Sequence, residues 1–100
     1  MEAAARRAEF VERDAVLISK HARDRMFERN ISTDEVMDIV ASGEVIEEDP
    51  HRIPCPSAVI LGFINHIAYH VVVAFCPEHL VVITAYFPKE EKWVEHRRRR

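Results

Sequence analysis

The chain has 100 residues, 48% of them apolar and 31% charged, with two Gly, five Pro and two Cys. That is the size of one domain with enough apolar residues to build its own core, which excludes a disordered chain. The formal net charge is −3 and would be −7 without the four arginines at 97–100, which excludes a uniformly basic nucleic-acid coat and confines any RNA or DNA contact to a local patch.

Residues 1–13 contain the helix-forming run EAAARRAEFVER and read as an N-terminal helical extension. Residues 14–93 read as a single domain, and residues 94–100 as a basic C-terminal tail. Ser19 is placed to cap a helix over Lys20–Arg29, with Ala22 and Met26 inward and Phe27 widening the stripe. Ser32 and Glu35 form an S-x-x-E capping box, and Ile31 and Val36 form its hydrophobic staple. The helix that follows spans 33–42, buries Val36, Ile39 and Val40, and stops at Gly43.

The period then changes from helix to strand. Glu44–Asp49 reads as a charged edge strand closed by Pro50, and residues 50–56 as a proline-constrained connection. Ser57–Ile64 and Ile67–Phe75 read as strands joined by a turn at Asn65-His66. Residues 76–79 form a turn, and residues 80–87 a last strand ended by Pro88. The expected architecture is α+β, with N-terminal helices on one face of a three- to four-stranded antiparallel sheet. The longest apolar runs, 58–64 and 71–76, fall well short of the ~20 residues of a membrane span. No signal peptide is read at the acidic N-terminus, and two Cys without motif spacing point to a reducing cytoplasm.

Four stretches resemble a domain of unknown function grouped with the RelE, ParE and BrnT bacterial toxins. They are HARDRMFERNIS from His21, GEVIEEDP from Gly43, Gly62 with YHVVVAF from Tyr69, and ITAYFP followed by Trp93. The resemblance implies a RelE-like fold and a toxin whose antitoxin partner blocks it. It implies RNA cleavage without a metal, often of mRNA on the ribosome; ParE-like members instead poison gyrase by contact.

Metal-free RNA cleavage needs a base for the 2′-hydroxyl, an acid for the leaving 5′ oxygen and a cation for the phosphate. His70 heads an apolar strand, where an imidazole is either used or hydrogen-bonded as a core group. His21, Arg25 and Arg29 recur every four residues along one helix side; the arginines either clamp phosphate or pair with Glu28 and neighbouring acids. Tyr86 is an acid or phosphate ligand, or plain amphipathic packing. A simple turn pairs Phe75 with Leu80 and sets Tyr86 opposite Tyr69; a slip of one residue brings it to His70. Lys89 follows as a phosphate ligand, with Lys92 beside it and Trp93 either stacking a base or covering the edge of the core.

The catalytic set is therefore His70, His21 and Tyr86, and the phosphate set Arg25, Arg29 and Lys89. No metal or other cofactor is expected: His66 and His70 lack helical spacing, and the two cysteines lack partners of zinc-site spacing. The arginines at 97–100 attract RNA, contact an antitoxin, or are simply solvated. Two rivals stand beside the ribonuclease reading. One is a binding module of the same fold that inhibits or regulates a protein partner; the other is a dimer paired through the strand Glu44–Asp49.

Overall fold

The computed structural model describes residues 2–100; Met1, the first residue of the N-terminal extension, lies outside the described residues. In chain order the elements are helices α1 (Glu2–Ala5) and α2 (Arg7–Glu12), strand β1 (Val16–Ile18), helices α3 (Lys20–Arg29) and α4 (Thr33–Ser42), and strands β2 (Glu44–Asp49), β3 (Ser57–Ile64), β4 (Ile67–Phe75) and β5 (Leu80–Tyr86). A short ribbon of β6 (Trp93–Val94) and β7 (Arg98–Arg99) follows. No helix among the described residues is long and apolar enough to cross a membrane.

The main sheet has the order β1-β5-β4-β3-β2. This corrects the expected three- to four-stranded antiparallel sheet: there are five strands, and β1 runs parallel to β5 with Leu17 opposite Val81. The chain lays β1 at one edge, crosses through α3 and α4 to the far edge, and returns by a β2–β5 meander until β5 closes on β1. A parallel neighbour requires such a crossover connection.

Local chemistry sets the helix ends. Ser19 Oγ accepts the Ala22 N–H at 3.0 Å, and Asn30 ends α3 in the left-handed region at φ 57°. The capping box of α4 is complete: Ser32 Oγ accepts from Glu35 N–H at 3.1 Å, and Glu35 Oε1 accepts from Ser32 N–H at 2.8 Å. The other Glu35 oxygen accepts the Tyr69 hydroxyl at 2.9 Å, which ties the start of α4 to β4. These bonds hold the Glu35 carboxyl below its ordinary range, the Ser32 N–H contributing most.

Gly43 ends α4 with φ −71°, so it is needed for space rather than for a left-handed turn. A Cβ there would lie 2.6 Å from Ile60 Cγ2. Gly62 likewise lets Ile39 of α4 lie on β3, because a Cβ would collide with that side chain.

One sheet face carries the main core: Ile60, Val71, Val73, Leu80 and Val82 meet Ala22, Met26, Val36, Ile39 and Val40 of the helices. Ala4 and Phe10 of the N-terminal helices are buried in the same cluster. Phe27 does not widen the buried stripe; it is 89% exposed.

Cys55 and Cys76 form a disulfide, with their Cα atoms 5.2 Å apart. This overturns the reading of two unpartnered thiols. They are 21 residues apart in sequence, and the pairing of β3 with β4 brings them together. Such a bridge is characteristic of compartments where thiols are not kept reduced.

Candidate active site

The opposite sheet face is where β4 and β5 bring polar side chains together. Phe75 pairs with Leu80, as a simple turn dictates. Between Val73↔Val82 and Val72↔Thr84 one residue of β5, Ile83, is left over as a bulge. Beyond it the pairing is shifted by one, so Tyr86 lies opposite His70 rather than Tyr69. α3 and its cap hold β5 at this irregularity and just beyond it. The Ser19 hydroxyl lies 3.4 Å from the Ile83 carbonyl, and Arg29 Nη1 donates to the Ala85 carbonyl at 2.8 Å.

His70 is fully buried, 0% exposed. Its Nε2 lies 2.6 Å from the His96 carbonyl, which can only accept, so Nε2 carries the proton. In the neutral ring Nδ1 is then an acceptor, and the Tyr86 hydroxyl, 3.3 Å away, donates to it. Burial pushes the His70 pKa below its usual 6.5, against the opposing pull of the His96 carbonyl, and so favours this neutral form. Burial also raises the Tyr86 phenol above its ordinary value. Trp93 of β6 packs edge-on against the imidazole, with ring centroids 4.4 Å apart.

Above Tyr86 lies a cleft of about 580 Å³, lined among others by Arg29, Lys89, Lys92, Trp93 and Arg99. Four cationic side chains and a phenol on one concave surface form a natural receptor for phosphate. Arg99 also pairs with Glu47 at 2.9 Å, and its guanidinium lies 4.6 Å from the Trp93 ring centroid. A more open groove of about 670 Å³ beside Gly43 and Gly62 is lined by Asp38, Glu44 and a single cation, Arg97. It lacks the cluster of cations and the acid–base pair, so the smaller cleft is the better site.

Of the residues singled out in the sequence, Tyr86, Arg29 and Lys89 line the cleft, and His70 lies directly behind Tyr86. His21 is exposed on α3 and is not part of the lining. Arg25 is likewise outside it and pairs with Glu28 at 2.9 Å. Trp93 is 4% exposed, packed against His70 and covered by Arg99, leaving no open ring face for a base. Arg99 is the charged lining residue that the sequence did not single out from its run, because within an arginine run no position differs from its neighbours. Among the described residues no group of three His, Cys, Asp or Glu side chains is placed to hold a metal ion.

Comparison with curated proteins and with solved structures gives no match. A family model does match, over residues 18–87, which take in α3, α4 and the β2–β5 meander with His70 and Tyr86. The chain therefore belongs to the family described as a domain of unknown function (DUF4258).

Proposed function

We propose that this chain is the toxin of a toxin–antitoxin pair, and that it cuts RNA by transesterification without a metal ion. The observation that carries the reading is the Tyr86–His70 hydrogen bond at the floor of a four-cation cleft. The helices-on-sheet layering supports the RelE-like expectation, with β1 an added parallel edge. This reading places the action in the cytoplasm, where the RNA is and where the two cysteines would be kept as thiols. The Cys55–Cys76 bridge follows the far end of β4 from His70 and takes no part in the chemistry.

In the reaction the RNA 2′ oxygen attacks the adjacent phosphorus and the bond to the 5′ oxygen breaks. The products are a 2′,3′-cyclic phosphate and a free 5′-hydroxyl. Tyr86 oxygen takes the 2′-hydroxyl proton as its own proton passes to His70 Nδ1. A lysine ammonium of the rim, Lys89 or Lys92, protonates the leaving oxygen. Arg29 and Arg99 hold the phosphate as its charge grows. His70 thus acts through Tyr86 as a positioning residue and proton store. The antitoxin would block the reaction by laying an acidic segment in the cleft.

The test is to add the purified chain to a cell-free translation reaction with chelator and map the 5′ ends of the mRNA. New 5′-hydroxyl ends are expected, reduced about 100-fold or more by Tyr86→Phe. Stalled translation with intact mRNA would instead identify a non-catalytic binding module.

A further inference from the structure

We propose that residues 93–100 form a displaceable strap over the site, held by charge and opened by a chain of phosphates. This rests on reading the cleft as an RNA site and adds how that site is regulated. The family match ends at Phe87, before the strap begins. The segment lies across the sheet face that carries His70.

Its own structure is weak. β6 and β7 are two residues each, and a two-stranded ribbon of that kind does not stand alone in water. The turn between them places Glu95 and His96 in the left-handed region, at φ 51° and 65°, where residues with a Cβ are strained. That turn delivers the carbonyl that seals His70 Nε2.

Contacts with the sheet therefore hold the strap down. Arg97 pairs with Glu44 at 3.0 Å and Arg99 with Glu47 at 2.9 Å, both at solvent-exposed positions. Trp93 is the plug between Arg99 and His70. Arginine binds a phosphate through the same fork that it presents to a carboxylate. Arg99 already lines the cleft, so a phosphate bound there competes directly with Glu47. When Arg99 and Arg97 exchange their carboxylates for phosphates, the strap lifts. His70 then loses its carbonyl cover, while its Nδ1 keeps the bond to Tyr86 through which it acts.

Trp93 is the only tryptophan of the chain, so its fluorescence reports the strap alone. The full chain is titrated with an oligodeoxythymidine at low salt, and binding is followed by the anisotropy of a labelled oligonucleotide. DNA lacks the 2′-hydroxyl, so opening is read without cleavage. The expected result is a red shift of Trp93 emission with increased acrylamide quenching. The Glu44→Gln/Glu47→Gln variant should show the same shift without DNA while keeping its far-ultraviolet dichroism. Binding to a closed strap would shield Trp93 and reduce quenching. That outcome, or no binding at all, or no shift in the double variant, overturns the strap. RNA cleavage with an unmoved Trp93 overturns the strap alone; a lifted strap with intact RNA overturns the ribonuclease reading alone.

Discussion

Ile60 and Leu61 are neighbours on β3, both at least 98% buried, yet they point to opposite faces of the sheet. Ile60 pairs with Val71 and meets Gly43 at the end of α4, inside a core of aliphatic side chains from two long helices. Leu61 pairs with His70, under a cover that is a two-stranded ribbon, one tryptophan and exposed ion pairs. The first face is sealed by side chains that have no alternative partner. The second is sealed by groups that water, salt or a phosphate can also satisfy. Packing sits on one face and chemistry on the other, and their covers differ in how easily they move.

The largest effect should separate these two faces. Ile60→Ala is expected to cost about 3 kcal/mol, because rigid helices cannot fill the cavity. Leu61→Ala is expected to cost about 2 kcal/mol or less, because the ribbon can settle into the gap. Urea unfolding of both variants checks this, and equal losses would mean that the covers are equally rigid.

Acid should act on the two faces in turn. The lowered pKa of His70 means that its share of stability is full above 6.5 and is lost as pH falls from there to the folded value. Glu35, also lowered, keeps its share above 4.5 and loses it below. Urea midpoints across the acid range should therefore fall first through the His70 face and then through the α4 face. His70→Gln should remove only the upper step, and Glu35→Gln only the lower.

Tyr69→Phe removes the hydroxyl that α4 shares with β4, at an expected cost of about 1 kcal/mol in the same assay. Arg25→Ala should be the mildest change, within about 0.5 kcal/mol, since its pair with Glu28 is exposed on a helix surface.

The sequence made the helix face largely legible. Capping at Ser19 and Ser32 located α3 and α4, the charged run closed by Pro50 located β2, and apolar runs between turns located β3, β4 and β5. Three features escaped it, each for a physical reason. β1 is three residues long, too short to show a period, and it exists because β5 offers it a parallel edge. The disulfide depends on strand pairing rather than on spacing. The strap looks like a solvated basic end until the acids opposite it, Glu44 and Glu47, are known to share its face. His70 and Tyr86 were visible as residues, but their meeting depended on the register.

That register has a wider consequence. β5 runs in one phase from Leu80 to Val82 and in the opposite phase from Thr84 to Tyr86, with Ile83 as the half-step between them. Pairing Ile83 regularly with Val72 would send the phenol to the greasy side of the sheet, opposite Tyr69, and Ala85 to the wet side, without altering any side chain. The register of this strand is therefore a tuning parameter of the site, and whatever smooths or moves the bulge bears on reactivity before it bears on folding.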